Sequence, residues 1–241
     1  MNALDRAIAE IAAADAKDRV ASADWAELAK ALDARGNAII ERVLTAAQCQ
    51  SLTALYSTGD RFRSRVVMER HGFGRGEYQD FAYPLPALIV ELRTALYPRL
   101  APIANRWNAE LDIDVHYPPR HAAFIARCHA AGQTRPTPLL LRYGEGDYNC
   151  LHQDLYGEHV FPLQATILLS DPDRDFEGGQ FVLTEQRPSM PSRPEVVALR
   201  QGDAGGFAVH HRPVPGTRGV YRVNFGPGVS RRSHGTRHRR D

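Results

Sequence analysis

The spacing of hydrophobic residues changes near residue 135 of the chain. In the early segment SADWAELAKALDARG, apolar side chains recur three or four positions apart, as on one face of a helix, at Trp25, Leu28 and Leu32. Ser22 or Asp24 can cap the start of this helix, and Gly36 can end it. The first part of the chain is therefore predicted to be largely helical.

Further elements follow in the same part of the chain. NAIIERVL predicts a short apolar strand, and TAAQCQSLTALYS predicts a second helix with Thr45 as its cap. PALIVELRTALYPRLAPIANRWNAEL predicts another helix, which Pro98 and Pro102 should break or kink because proline lacks a backbone N–H.

Beyond residue 135 the chain alternates short apolar runs with turn residues. The runs are rich in leucine, β-branched and aromatic residues, and they read PLLLRYG, FPLQATILLS, GGQFVLTE, EVVALRQGD, GGFAVHH and GVYRVNFG. No segment long enough for a helix separates them, which indicates an antiparallel barrel or sandwich. We therefore predict a mostly β fold with α-helices, in which an N-terminal helical region (1–130) packs on a β core (131–241) within one integrated domain.

Composition narrows the class of protein. The chain is 43% hydrophobic and 24% charged, which is typical of folded soluble proteins and excludes disordered, collagenous and membrane classes. The three cysteines are far apart without CxxC spacing, which argues against a disulfide framework or a zinc-thiolate site. A reducing, cytoplasmic location without a membrane partner is expected.

Much of the basic charge lies at one end. The formal net charge is only +2, yet the last eleven residues, RRSHGTRHRRD, hold five arginines and two histidines. Such a segment can contact phosphates or anionic lipid, or it can be a solvated terminus. Because the chain as a whole is near neutral, the sequence argues against nucleic acid as its partner.

The segment GDYNCLHQDLYGEH contains the clearest candidate chemistry. In a strand, His152 and Asp154 project from the same face, as two adjacent metal ligands must. An imidazole and a carboxylate, with one more histidine, form the facial triad of non-heme Fe(II) oxygenases. A chain with ten histidines can also contain HxD by chance, as a hydrogen-bonding surface pair.

The order of motifs adds weight to the metal hypothesis. RYGEGD, HQD, EGG, RQGDA and GTR follow one another between residues 135 and 238. This order resembles the 2-oxoglutarate and Fe(II)-dependent dioxygenases, particularly their prolyl-hydroxylase-like bacterial branch. The resemblance implies a double-stranded β-helix (jelly-roll) and Fe(II), with 2-oxoglutarate and O2 as cosubstrates. It implies hydroxylation of a small-molecule or peptidyl substrate that the sequence does not identify.

The resemblance also assigns roles to single residues. His152 and Asp154 match the first two iron ligands. Tyr143 matches a tyrosine that hydrogen-bonds 2-oxoglutarate, although it can equally be an aromatic residue of the barrel. Arg237 matches the arginine that grips the far carboxylate of 2-oxoglutarate, or it is one more charge of the basic tail. Gly178 and the glycine after it match a turn that needs positive φ.

The chain departs from the family pattern at the third ligand. The matching stretch reads FGPGVSRRSHGTRH, so Pro227, which has no ligand atom, stands where the family has histidine. Arg232 replaces an apolar residue, and the sequence ends at Asp241 where the family would run through another apolar strand. The resemblance therefore predicts an exposed sheet edge.

A replacement ligand is available among the other histidines. His211 is the first candidate, and further candidates are His210, His234 and His238, each of which can also be a solvated or hydrogen-bonded side chain. Three functions stay open: a dioxygenase with a replaced ligand, a catalytically inactive dioxygenase-like binding module, and a nucleic-acid-interacting oxygenase. The basic tail favours the third function, and the near-neutral charge of the whole chain argues against it.

Overall fold

The structure, a computed structural model, describes residues 15–153, 159–172, 174–187, 191–209, 211–217 and 219–233. Its helices are α1 (15–22), α2 (Trp25–Arg35), α3 (Ala46–Leu55), α4 (Ala87–Glu110) and α5 (His121–Ala130), and a 3-10 helix spans Met68–His71. In the part of the chain that is described, no helix is both long and apolar enough to span a membrane.

Local capping signals set the ends of the first helices. Asp24 accepts hydrogen bonds from the backbone N–H groups of Ala26 and Glu27, and α2 ends at a left-handed Gly36. Thr45 and Gln48 form a capping box at the start of α3. The predicted caps Asp24, Gly36 and Thr45 are confirmed.

Helix α4 runs unbroken through both of its prolines. The predicted break at Pro98 or Pro102 is therefore wrong, and a kink at these residues stays a prediction. Each proline removes one backbone hydrogen bond, at a cost of roughly 3 kcal/mol in a helix interior. Burial along the helix offsets this cost, and its buried residues include Leu92, Leu96, Tyr97, Leu100, Ala101, Ile103, Ala104 and Trp107.

Strands occur in both halves of the chain. They are β1 (Asn37–Ile40), β2 (Phe62–Val67), β3 (Gly74–Arg75), β4 (Glu77–Phe81), β5 (Leu139–Arg142), β6 (Tyr148–Asn149), β7 (Leu163–Ile167), β8 (Glu177–Gly178), β9 (Phe181–Gln186), β10 (Arg193–Val197), β11 (Ala204–Ala208), β12 (His211–Gly216), β13 (Gly219–Val229) and β14 (Arg232–Ser233). All described pairings are antiparallel, which confirms the predicted antiparallel β structure.

The strands form four sheets. One has the order β10-β9-β13-β6-β3, with β12 paired to β13; the others are β1-β11-β7, β2-β4-β5 and β14-β8. Strands from before residue 130 thus pair with strands from after it, through β1–β11, β3–β6 and β4–β5. Within the described residues β7 and β5 end separate sheets, so closure into a jelly-roll barrel stays a prediction, as does the division at residue 130.

The main core lies between the helices and the strands. Tyr97, Tyr117, Phe124 and Phe161 form a cluster of aromatic rings with centroids 4.9 to 5.8 Å apart. The buried polar groups near it have partners: Trp107 Nε1 donates to Asp33, and the hydroxyl groups of Tyr97 and Tyr117 donate to backbone carbonyls. A smaller apolar cluster joins Leu183, Val197, Phe207 and Val209.

Candidate metal and cosubstrate site

His152 lies beside strand β13. Its backbone N–H donates to the carbonyl of Pro227 at 3.1 Å, and the side chain of Gln153 donates to the carbonyl of Phe225 at 3.3 Å. A Cβ atom at Gly226 would stand 3.1 Å from the carbonyl oxygen of His152. The segment after β6 therefore runs along β13, and the position that the resemblance assigns to the third iron ligand lies next to His152.

The ring of His152 is held by its own segment. Nδ1 lies 2.9 Å from the carbonyl oxygen of Cys150. Because a carbonyl only accepts, Nδ1 carries the proton of this hydrogen bond and Nε2 is left as the basic nitrogen. Metal-ligating histidines are oriented by a hydrogen bond of this kind, so the geometry fits an imidazole that binds iron through Nε2.

Pro227 supplies no donor at the adjacent position. It is buried in β13, opposite Leu183 of β9 and beside His152. Proline also lacks the N–H of a normal strand residue, so one possible ladder hydrogen bond is missing. The backbone pairing with His152 survives because it uses only the carbonyl of Pro227.

His211 lies in a different setting. It begins β12 opposite Asn224 of β13, and it lines a cavity of about 180 Å³ together with Tyr117, Arg127 and His159. His152 is not among the described residues that line this cavity. The structure thus places the proposed replacement ligand among side chains of α5 and the segment before β7.

Several predicted residues fall outside the described part of the chain. They are Asp154, Arg237, His210, His234 and His238. Across the residues that are described, no group of three His, Cys, Asp or Glu side chains could hold a metal ion. The ligand set stays a prediction, with His152 as the ligand whose surroundings are described.

Tyr143 lies in the turn between β5 and β6. It is half-buried, and its ring lies so close to Gly76 that a Cβ atom there would meet Cδ1 of Tyr143 at 2.8 Å. The carbonyl of Tyr143 accepts a hydrogen bond from Arg232, whose guanidinium also donates to the carbonyl of Asp175 at 2.7 Å and lies 5.2 Å from the ring of Phe176. Arg232, which replaces an apolar residue of the family, therefore ties the turn of Tyr143 to the turn before β8.

The predicted glycine turn is confirmed. Gly178 and Gly179 have φ angles of 67° and 59°. A Cβ atom at Gly178 would stand 2.5 Å from the carbonyl oxygen of Arg231, so the chains approach too closely for a side chain.

A charged cleft borders the turn of Tyr143. It has a volume of about 390 Å³ and is lined by Arg65, Val67, Glu69, Arg75, Gly76, Glu77, Arg142, Gly144 and Asp147. Burial of Glu77 acts to raise its pKa, but hydrogen bonds from Arg65 and Tyr56 and the charges of Arg65 and Arg142 outweigh it and lower the pKa. This cleft was not predicted from the sequence, although FRSRVV places arginines at alternate positions, as on one face of a strand.

Two solved structures resemble the chain at low identity. A prolyl-4-hydroxylase of Pseudomonas putida is 15% identical, with 88% of this chain and 100% of that chain covered and a TM-score of 0.44. A 2OG-Fe(II) oxygenase family oxidoreductase of Burkholderia pseudomallei is 17% identical, with 91% and 96% covered and a TM-score of 0.47.

Sequence comparison gives closer relatives. Two uncharacterized proteins of Mycobacterium tuberculosis, MT2286 of strain CDC 1551 / Oshkosh and Rv2227 of strain ATCC 25618 / H37Rv, are each 51% identical over 139 residues. The match covers 58% of this chain and spans only 60% of the length of these relatives.

A family model matches most of the chain. The model is Oxygenase-NA, described as an oxygenase catalysing oxidative methylation of damaged DNA, and it matches residues 76–240. The match confirms that the resemblance seen in the motifs is to an oxygenase superfamily. By this match, the chain belongs to the Oxygenase-NA family.

Proposed function

We propose that the chain is an Fe(II) and 2-oxoglutarate-dependent dioxygenase with His152 and Asp154 as iron ligands. The observation that carries this proposal is the setting of His152, in a chain of an oxygenase family. Its Nδ1 is hydrogen-bonded to the carbonyl of Cys150, and its backbone is paired with the strand position that the resemblance assigns to a further ligand. When bound, Fe(II) with 2-oxoglutarate supplies the activation of O2 for oxidation of a substrate C–H bond.

The protein's own residues hold and orient these groups. Nε2 of His152 and the carboxylate of Asp154 would bind the metal. Tyr143 would contact 2-oxoglutarate, and its turn is positioned by Arg232. Arg237 would grip the far carboxylate through two parallel hydrogen bonds, which suit a planar, permanently charged guanidinium. The third ligand is His211 or another group, since Pro227 has no donor atom.

The proposed fold is a double-stranded β-helix. The sheet β10-β9-β13-β6 would form one layer, and β1-β11-β7 together with β5 would form the other. The apolar cluster of Leu183, Val197, Phe207 and Val209 supports this arrangement, because it joins β9 and β10 of one sheet to β11 of the other.

For the substrate, the family description favours DNA. It names damaged DNA, whereas the sequence alone pointed to a small-molecule or peptidyl substrate. The small-molecule or peptidyl substrate followed from the resemblance, and the argument against nucleic acid rested on the near-neutral charge of the whole chain, which says little about the charge of one surface. We therefore propose nucleic acid as the substrate class.

The test is turnover of 2-oxoglutarate, followed as succinate, in wild type and two variants. His152→Ala should lose turnover. Arg237→Ala should raise the KM for 2-oxoglutarate roughly 10-fold or more, since a hydrogen-bonded charge contact is worth about 1.5–3 kcal/mol. Arg240→Ala is the matched control in the same segment. An unchanged KM in Arg237→Ala would remove its assignment.

The second candidate function is a catalytically inactive binding module. Pro227 favours it, because the position beside His152 has no ligand atom. Such a module would neither retain stoichiometric iron nor turn over 2-oxoglutarate, and His152→Ala would then behave like wild type in both measurements.

A further inference from the structure

The tip of the β2–β4 hairpin (residues 68–76), here called the hairpin, is bonded next to the candidate iron ligand. The 3-10 helix Met68–His71 leads into β3, which pairs with β6 through Gly74 opposite Asn149 and the next residue opposite Tyr148. The N–H of Cys150 donates to the carbonyl of Phe73 at 2.8 Å. The main chain of Phe73 is therefore bonded two residues before His152.

The hairpin fits tightly against β6. Gly74 has a φ of 121°, and a Cβ atom there would stand 2.4 Å from the carbonyl oxygen of Tyr148. Met68, at the start of the hairpin, is 1% exposed, and its N–H donates to the carbonyl of Gly76 at 3.0 Å. This anchoring fixes the main chain from which the side chain of Phe73 projects.

The aromatic side chain on this anchored hairpin faces solvent. Phe73 is 45% exposed and is absent from both apolar clusters of the described core. Its ring stacks on that of His71, with centroids 5.5 Å apart and an interplanar angle of 22°. An exposed, pre-positioned ring of this kind is suited to stacking on a flat ring of a ligand.

Two arginines lie close to Tyr148 of β6. The guanidinium of Arg231 lies 5.4 Å from the centroid of Tyr148, and Arg75 is paired in register with Tyr148. The side chain of Arg75 is 51% exposed, and its Nε is 3.9 Å from a carboxylate oxygen of Asp147. The other oxygen of that carboxylate accepts the N–H of Gly144 at 2.7 Å.

The same arginine leads into the charged cleft. Arg75 lines the cleft together with Arg65 and Arg142, opposite the carboxylates Glu69, Glu77 and Asp147. Glu77 is paired with both Arg65 and Arg142. The described lining of the cleft therefore has three arginines and three carboxylates, and Arg75 is the arginine that it shares with β3.

We propose that His71, Phe73, Arg75, Tyr148 and Arg231, here called the mouth rim, bind single-stranded nucleic acid. Phe73 stacks on a base, while Arg75 and Arg231 contact backbone phosphates. Nucleic acid offers a flat ring and a phosphate in every residue, whereas an acidic peptide offers rings only where its sequence contains aromatic residues. The biological role of the rim rests on the proposed function, but the binding itself needs neither iron nor 2-oxoglutarate.

The test is fluorescence anisotropy with a short fluorescein-labelled oligothymidylate, using the full chain in EDTA without 2-oxoglutarate. Phe73→Ala should weaken binding by roughly 5-fold or more at every salt concentration, because base stacking on an aromatic ring is worth that much. Arg75→Gln should also weaken binding, and it should reduce the slope of log affinity against log salt by about 0.7, as expected for one lost phosphate contact.

Matched controls lie elsewhere on the chain. Tyr83 is 47% exposed and packs against His129, so Tyr83→Ala removes a comparable exposed aromatic. Arg99→Gln removes an arginine of α4. Both controls should bind like wild type, and circular dichroism should show all four variants folded.

The outcomes separate this inference from the proposed function. Wild-type binding with losses confined to Phe73→Ala and Arg75→Gln supports the rim. No wild-type binding, equal losses in the controls, or unchanged binding in both rim variants overturns it. None of these results depends on iron, so the test remains valid even if the chain has no iron site. Turnover of 2-oxoglutarate without oligonucleotide binding would overturn the mouth rim and leave the proposed iron site in place.

Discussion

The helix-lined core and the part of β13 beside His152 differ in what their side chains contribute. In the core, the indole of Trp107 donates to Asp33, which also accepts from Arg106, and the hydroxyl of Tyr117 has a carbonyl partner. In β13, Pro227 pairs with the backbone of His152 through its carbonyl, but its side chain has no atom that could bind a metal.

The difference shows that the fold and the chemistry place separate demands on the chain. Strand pairing needs backbone groups, and the carbonyl of Pro227 meets that need for His152. Metal binding needs side-chain donors, and a proline cannot meet it. The scaffold can therefore persist while one ligand position changes, so substitutions in the two regions should affect different measurements.

The largest expected effect is on stability, from the core. Trp107→Ala should lower the free energy of unfolding by about 3–5 kcal/mol, because it leaves a cavity among fully buried neighbours. Val90→Ala, at a position 44% exposed on the same helix, should change it by less than about 0.5 kcal/mol. Urea unfolding measures both, and equal effects would show that α4 is not packed as described.

The next effect is on the metal. Pro227→His should tighten Fe(II) binding at least about 10-fold, since even an outer-shell contact changes metal affinity by 10–100-fold. Because Pro227 is buried, the larger imidazole should lower the stability in urea somewhat, so circular dichroism is needed to show that the variant is folded. Pro215→His, at an exposed position of β12, is the control and should leave the affinity unchanged. If both variants bind iron like wild type, the position beside His152 is not a ligand position.

A smaller loss of stability is expected in acid, from a partly buried histidine near the core. Burial, aided by the charge of Arg93, lowers the pKa of His121 to about 4, whereas an unfolded histidine titrates near 6.5. Over this range the unfolded chain therefore binds a proton that the folded chain does not bind. The free energy of unfolding falls as the pH drops from about 6.5 towards 4. Between pH 7 and 5 the loss should be about 1 kcal/mol, reduced for partial solvent screening.

Substitution isolates this contribution. His121→Gln should show a flatter stability profile between pH 7 and 5 than wild type in urea unfolding. A profile as steep as that of wild type would assign the acid sensitivity to other groups.

The smallest effect concerns a helix end. Thr45→Ala removes the hydroxyl that caps α3 and should cost about 1 kcal/mol. Ser51→Ala is the control, because its exposed hydroxyl only bonds to a carbonyl within the same helix. Thermal unfolding compares the two, and an equal shift in Tm would mean that the capping box contributes nothing.

Local signals predicted much of the fold. Asp24, Gly36 and Thr45 act through neighbours a few residues away, so the sequence alone places them. Strands β2 (FRSRVV) and β4 (EYQDF) were missed because they are short, rich in polar residues and without a continuous apolar run. The other partner of β4, strand β5, lies more than fifty residues further along the chain, and no local signal indicates such a pairing.

Only the HxD motif of the site could be predicted from the sequence. The HxD spacing indicated His152, and the resemblance drew attention to Pro227. The pairing of β6 and β12 with β13 determines the positions of both histidines. As a result, His152 pairs with Pro227, while His211 lies in a cavity with Arg127 and His159. The mouth rim was not predicted as a site, because its members come from three separate segments that pairing brings together.

The most direct test of the proposed iron site is an anaerobic Fe(II) titration of the metal-free protein with 2-oxoglutarate present, followed by the visible charge-transfer band of the chelate. We expect a band in wild type that saturates only at high iron, tightens in Pro227→His and disappears in His152→Ala. A folded wild type and a folded Pro227→His variant that both show no band would contradict the iron site and leave the inactive binding module as the function of this chain.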